Sequence, residues 1–297
     1  MPATALKINW ENNIVVELID GKSLAESIIQ TIKEKVDKII NLSKRPPCLA
    51  VILVGDDPAS TVYVAHKRKK CETIGFKSEF FSLPATSSQE KLNNLIKTLN
   101  ESDQVDGILL QLPLPKELNS DEALDLIDPK KDVDGLTSFN QGLLCQGRSA
   151  FEPCTPKGII TMIHSAGISI QGKKACVIGR SRLVGLPMAL LLNQHNATVS
   201  LVHRHTKNPK DYTQEADILV VAAGVPHLVD DSWLKKGAVV IDVGIHRNKE
   251  GKLIGDVNFE KASKKASKIS PVPGGVGPMT VASLMENTLK AYEERYF

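Results

Sequence analysis

The stretch Ala175-Cys176-Val177-Ile178-Gly179-Arg180-Ser181-Arg182-Leu183-Val184-Gly185-Leu186-Pro187 decides how this chain reads. A short buried strand over Ala175 to Ile178 runs into a glycine-bounded turn, and the turn leads into a helix near Pro187 to Asn193. Pro187 suits a first helical turn, where its missing N–H costs nothing. Glycines in such a turn let backbone approach a pyrophosphate, and the helix N-terminus offers N–H groups and positive dipole. The spacing G-x-S-x-x-x-G is one residue longer than the usual dinucleotide turn, so taken alone it equally describes a tight connection with no ligand. Outward from it, Thr198 to Val202, Ile218 to Ala222 and Ala238 to Val243 read as strands, which makes this half a Rossmann-type domain.

The end of the next strand narrows the cofactor. An NAD enzyme places Asp or Glu there to hold the ribose 2′-OH, but this chain has His203-Arg204-His205-Thr206-Lys207. Arg180 on the turn and Arg204 near the expected ribose suit a 2′-phosphate, which favours NADP. A solvated basic loop is the plainer reading of the same residues. His203 and His205 lack a carboxylate or cysteine partner at ligand spacing, so no metal is expected.

Toward the N-terminus the pattern alternates again. Ser23 to about Leu42 reads as a helix, Cys48 to Gly55 as a strand, Thr61 to about Ile74 as a helix, and Lys77 to Leu83 as a strand. Ser88 to Asn100 follows as a helix capped by Ser87 or Ser88, then Val105 to Leu112 as a strand. This is the signature of βαβ units and a mostly parallel sheet. The break at Pro153-Cys154-Thr155-Pro156 separates the halves, and a last helix spans Thr280 to Tyr292. The expected fold is therefore two α/β domains, the second Rossmann-type and NADP-binding, with an active-site cleft between them. The domains are expected as 1–150 plus 280–297 and as 151–279.

Bulk properties narrow the function classes. At roughly 150 residues per domain, 297 residues make two domains. A net charge of +3 is far from the basic signature of a nucleic-acid binder. The apolar runs are strand-sized, well short of the ~20 residues that cross a bilayer. The five scattered cysteines contain no CxxC pair and read as reduced thiols. With no leader pattern at the N-terminus, the expected location is cytoplasmic.

Chemistry is expected where strands end. Gly55-Asp56-Asp57-Pro58 leads into a helix on which Tyr63 and Lys67 share a face. A lysine that loses hydration beside an aromatic ring titrates in a range useful for proton transfer. Lys67 also opens the basic run Lys67-Arg68-Lys69-Lys70, the usual mark of a solvated helix face. Gln111 ends an apolar strand, where it is either an active-site amide or a sheet-end glutamine in water. Asp132 and Asp134 sit in a Gly-containing turn that fits either a site or a polar connection. Pro271-Val272-Pro273-Gly274-Gly275-Val276-Gly277-Pro278 suits close backbone approach to a ligand, or a rigid turn.

Six ordered motifs then carry a resemblance: Tyr63-Val64-Ala65-His66-Lys67, Asp106 through Pro115, Lys131-Asp132-Val133-Asp134-Gly135, Pro153-Cys154-Thr155-Pro156, the Gly179 to Pro187 turn, and Pro271 through Thr280. Together they closely resemble the bifunctional methylenetetrahydrofolate dehydrogenase / methenyltetrahydrofolate cyclohydrolase family, over nearly the whole chain from about Asp20. The resemblance implies NADP-dependent oxidation of 5,10-methylenetetrahydrofolate, followed by hydrolysis of the methenyl product to 10-formyltetrahydrofolate, within one-carbon metabolism and purine biosynthesis. It implies Lys67 as catalytic lysine, Gln111 as the amide that tunes it, and Tyr63 as the ring that stacks on folate. Asp134 would hold the pterin, with Pro273, Gly274 and Gly275 also on the substrate. Gly179, Arg180, Ser181, Arg204 and Ile245 would bind NADP. It further implies a homodimer with tetrahydrofolate derivatives as substrates and neither nucleic acid nor membrane as partner. Residues 1–19 match nothing useful, and the length leaves no room for the synthetase domain fused to some relatives. The alternatives are a dehydrogenase lacking the cyclohydrolase, a shikimate dehydrogenase-like enzyme and a catalytically dead NADPH-binding module. The presence of both Tyr63 and Lys67, and the Pro271 to Pro278 loop, weigh against them.

Overall fold

A computed structural model describes residues 7–9, 15–148 and 150–296. The chain forms two compact α/β units. One holds Ser27–Cys154 with the residues from Val281 to Tyr296, and the other holds the described residues up to Glu26 with Thr155–Thr280.

The first unit is built on three parallel strands in the order Lys77–Leu83, Cys48–Val54, Gly107–Leu110. All seven residues of the central strand are buried, as an unbroken apolar run in a parallel sheet requires. Cys48, Ala50, Ile52 and Val54 belong to one core with Leu92, Ile96 and Leu99 of the Gln89–Glu101 helix. Ser88 caps that helix by accepting from Lys91 N at 3.2 Å. The helix expected from Thr61 begins earlier, at Pro58. Asp57 accepts from Ser60 N at 2.8 Å and Pro58 fills the first position, while Gly75 ends the helix at φ +80°.

The last helix closes this unit. It starts at Val276 rather than Thr280, because Gly277 and Pro278 fit a first turn in which N–H groups have no helical partner. Arg45 makes a two-pronged contact with buried Asp106, 2.7 Å on each side, and donates to Tyr296 Oη at 2.7 Å. Its guanidinium also lies over the rings of Tyr292 and Tyr296, so one arginine ties strand start, sheet and last helix together.

The second unit is a seven-stranded sheet in the order Lys7–Asn9, Val15–Leu18, Lys268–Ile269, Val239–Asp242, Ile218–Val221, Lys174–Ile178, Thr198–Val202. Only its first pair is antiparallel. This corrects the expected boundary at the N-terminus. The described residues up to Glu26 belong to the second unit and not to the first. Val15–Leu18 runs parallel to Lys268–Ile269, with Glu17 N on Ser267 O at 3.0 Å, Ile19 N on Ile269 O at 2.9 Å, and Glu17 paired to Lys268 at 2.7 Å. The apolar alternation of Val16 and Leu18 was the available signal.

Lys131 shows how the fold aims a functional loop. Its buried ammonium donates to Leu99 O, Asn100 O and Ser102 O at 3.0, 2.7 and 2.8 Å, capping the C-terminal end of the Gln89–Glu101 helix. That fixes the start of the Asp132–Gly135 turn. Lys131→Met strands these carbonyls, and a hydrogen bond to a charged group is worth about 1.5–3 kcal/mol. The expected loss of stability is about 2 kcal/mol, read as a lower urea midpoint at unchanged slope.

Candidate active site

On the Pro58–Ile74 helix the buried positions among the described residues are Ser60, Val64, Lys67, Cys71 and Ile74, spaced 4, 3, 4 and 3 residues apart. Lys67 therefore belongs to the inward stripe, while Arg68 and Lys69 face water. The basic run is a solvated face except at its first residue. Lys67 is 8% exposed and donates from Nζ to Gln111 Oε1 at 2.9 Å. Gln111 is held in turn, its Nε2 on Leu112 O at 2.8 Å and its backbone N on Ile52 O at 2.9 Å. The amide carbonyl is thus fixed toward the amine by the central strand.

Asp134 is the nearby acid. Burial lowers the lysine pKa below its ordinary value, and the charges of Asp134 and Cys154 oppose that. Burial raises the Asp134 carboxyl, and the Lys67 charge together with the Cys154 thiol opposes it. Each group is pushed toward its neutral form by desolvation and toward ionisation by the other. Half-buried Tyr63 lies one helical turn before Lys67, and burial raises its phenol pKa.

The two acids of the Asp132–Asp134 turn divide their labour. Asp132 is buried and accepts from Leu136 N, Thr137 N and Asn140 Nδ2 at 3.1, 2.9 and 2.8 Å, so it builds the turn. Gly135 has φ +69°, and a Cβ there would collide with Phe151 O. Asn287, buried on the last helix, donates to Val133 O at 2.9 Å and Glu152 O at 3.0 Å, pinning the loop on both sides. Asn287 was missed from sequence, since an asparagine inside a helix carries no signal of the loop it reaches.

The remaining site candidates lie in the second unit. Ile178 pairs with Val202, and Gly179 N donates to Val202 O at 2.8 Å, so Arg180 and Arg204 follow neighbouring strand ends. Gly179 has φ +110°. A Cβ there would collide with Ala222 O, and one on Gly185 with Gly179 O, so the turn packs directly on neighbouring backbone and admits only glycine at both positions. Arg180 and Ser181 are exposed. Ser181 Oγ accepts from Val184 N at 3.2 Å, so part of the helix N-terminus is already used by the turn itself. Arg204 is exposed and its Nε donates to His205 Nε2 at 3.1 Å. Ile245, 40% exposed, stands three residues beyond the strand Val239–Asp242.

The Pro271–Gly275 loop is set by residues that the sequence reading did not name. Lys22 N donates to Gly274 O at 2.8 Å, and a Cβ on Gly21 would collide with Gly275 O. Pro273 is exposed and Gly274 has φ +100°. The site candidates therefore form two groups. Tyr63, Lys67, Gln111 and Asp134 are in one unit, and Gly179, Arg180, Ser181, Arg204, Ile245, Pro273, Gly274 and Gly275 are in the other.

A buried amine with so little solvation works against folding. Its depressed pKa means that the unfolded chain binds that proton more tightly, so stability rises with pH from the folded pKa toward the ordinary lysine value. Lys67→Met removes the ammonium and keeps the length. The variant is expected to melt at or above the wild-type temperature at pH 7, with the difference shrinking as pH rises. A lower melting temperature would show that the ammonium stabilises the unit.

Residues 19–134 match the tetrahydrofolate dehydrogenase/cyclohydrolase catalytic domain, and residues 153–296 match the NAD(P)-binding domain of the same family. The chain is 51% identical over 280 residues to the bifunctional protein FolD of Aquifex aeolicus, covering 94% of this chain and 96% of that protein. The bifunctional FolD of Campylobacter jejuni superposes with a TM-score of 0.92 at 48% identity, covering 94% of this chain and 99% of that one. The Trypanosoma brucei enzyme, solved with NADP and an inhibitor, superposes at 0.90 with 38% identity, covering 94% and 98%. At such identity over nearly its whole length, the chain belongs to the tetrahydrofolate dehydrogenase/cyclohydrolase family.

Proposed function

We infer that this protein is an NADP-dependent methylenetetrahydrofolate dehydrogenase and methenyltetrahydrofolate cyclohydrolase. The observation that carries the two-step reading is the desolvated Lys67 amine fixed on Gln111, since only the second step needs a proton carrier. The unit holding Lys67 takes the folate and the unit holding Gly179 takes NADP.

NADP, when bound, accepts a hydride from the methylene carbon. The Gly179–Gly185 turn fits such a group: it joins the end of the Lys174–Ile178 strand to a helix start, and exposed Arg180 is available to a phosphate. Hydride loss needs no side-chain base, because the N5 and N10 lone pairs stabilise the cation. Tyr63 and Asp134 serve by orientation, the ring by stacking and the carboxylate by accepting pterin N–H groups. Ring opening differs. Water attacks the methenyl carbon and must lose a proton, the bond from that carbon to N5 breaks, and N5 must gain a proton. Neutral Lys67 takes the first proton and returns it to N5, with Gln111 Oε1 holding the ammonium form in between, and the remaining hydroxyl proton leaves to solvent as the formyl C=O forms. Positioned proton transfer of this kind is worth ~10²–10⁴-fold.

A homodimer fits the edge strand Lys77–Leu83, which bears Phe80 at 36% exposure, and sedimentation tests it. A cytoplasmic location fits the five free cysteines. No helix among the described residues is long and apolar enough to cross a membrane.

Lys67→Met is expected to lose hydrolysis of added methenyltetrahydrofolate by at least a hundredfold, with a smaller loss of NADPH formation, so that methenyl absorbance accumulates. Retained hydrolysis would remove Lys67 from the chemistry. The wild-type hydrolysis rate is expected to rise with pH through a transition below the ordinary lysine range, and the residual rate of the variant to lack that transition. Arg180→Ala is expected to weaken NADP binding by roughly ten- to a hundredfold, from the ~1.5–3 kcal/mol of a charged hydrogen bond, while NAD changes little. Equal losses for both dinucleotides would place Arg180 on the pyrophosphate instead.

A further inference from the structure

The second unit holds a buried acid pair that the two reaction steps do not use. Asp256 is fully buried. Its Oδ2 accepts from Ala223 N at 2.7 Å and Gly224 N at 2.8 Å, and its Oδ1 lies 2.7 Å from His246 Nε2. Asp242, also buried, accepts from Gly244 N, Asp256 N and Val257 N at 3.0, 2.9 and 3.0 Å. A Cβ on Gly244 would collide with Asp256, and one on Gly255 with Asp242, so backbone closes around both carboxyls. Burial and the neighbouring Asp256 charge push Asp242 up to about 7, although three N–H groups favour its anion. Two acids this close in a dry site repel, and His246 is the side chain that meets the second oxygen of Asp256.

The backbone held by this cluster is the backbone of the proposed cofactor wall. Ala223 and Gly224 follow Ala222, whose carbonyl abuts Gly179 of the phosphate turn. His246 follows Ile245 and pairs with Ile254 at the base of the short hairpin His246–Arg247 with Leu253–Ile254. We infer that His246 and Asp256 are positioning residues for NADP: their contact fixes Ile245 on one side and the Ala222–Gly224 turn on the other. This rests on the reading of the second unit as the NADP-binding one. Neither side chain touches the dinucleotide; each acts through the segment it holds.

The test separates cofactor positioning from general support. NADP titration by calorimetry, the dehydrogenase KM for NADP, melting temperature, and hydrolysis of added methenyltetrahydrofolate without NADP are measured together. His246→Leu is expected to weaken NADP binding and raise that KM at least tenfold, with hydrolysis within about twofold of wild type. His246→Gln, which retains an N–H donor for Asp256, is expected to bind within about threefold of wild type. Should the leucine variant be insoluble, His246→Asn suits the partly exposed position but falls short of Asp256, and the same tenfold loss is expected. Wild-type NADP affinity in the leucine or asparagine variant overturns the inference, as does a parallel loss of hydrolysis and melting temperature. A wild-type protein that hydrolyses methenyltetrahydrofolate but does not bind NADP overturns the parent reading itself.

Discussion

An ammonium group inside an apolar helix stripe is stable only if something replaces the water it has lost, and in the first unit the arrangement around Lys67 does so sparingly. One amide oxygen lies at hydrogen-bond distance and one acid lies near enough to act through charge. The rest of the unit keeps those two groups in place. The Asp57 cap sets where the helix starts, and with it which residues point inward. The central strand fixes Gln111 through its backbone. Lys131, Asp132 and Asn287 hold the Asp134 turn from three directions with hydrogen bonds that involve no reacting atom. In its proposed role as proton carrier, Lys67 must be neither fully solvated nor fully paired, so its supports are made by other residues.

The second unit meets a different requirement with similar means. A dinucleotide site at strand ends needs several turns brought close without side chains in the way. Glycines at 179, 185, 244 and 255 supply the closeness, and the carboxylates of Asp242 and Asp256 satisfy the N–H groups that such tight turns leave unpaired inside the sheet. Exposed Arg180 and Arg204 stand outside this dry frame, where their charge remains available to an anion.

The sequence carried the architecture well, because strand and helix periodicity and glycine punctuation are local properties. The Cys48 strand, the Ser88 cap and the Gly179 turn were legible for that reason. Two helices start earlier than their periodicity suggests, at Pro58 and at Val276, because a proline in the first turn, Pro58 and Pro278, reads as a breaker although it is compatible with a helix start. The membership of Val15–Leu18 was not legible, because its partner strand lies far along the chain. Within the site, residue types pointed to Tyr63, Lys67, Gln111 and Asp134, but spacing alone left Lys67 in a solvated basic run. Only the burial of its helix face separates it from Arg68. Asp132 and Asp134 looked equivalent in sequence and differ because one carboxylate meets three N–H groups. The supports, Gly21, Lys131, Asn287, His246 and Asp256, act through tertiary contacts and leave no local trace.

The ion pair between Glu17 and Lys268 and the hydrogen bond between Arg45 and Tyr296 each join residues 251 positions apart, one in each unit. This has a consequence for synthesis. At about 5–20 residues per second, a ribosome makes the second member of either pair on the order of ten to fifty seconds after the first. Val15–Leu18 pairs at once with Lys7–Asn9, but its other edge stays open for that whole interval, and Asp106 receives Arg45 long before the last helix arrives to cover it. Neither unit can finish folding as an early, self-sufficient module. The first waits for the last helix and the second for Lys268–Ile269, and the nascent protein depends during that time on the core around Cys48–Val54, whose partners are all within the first half.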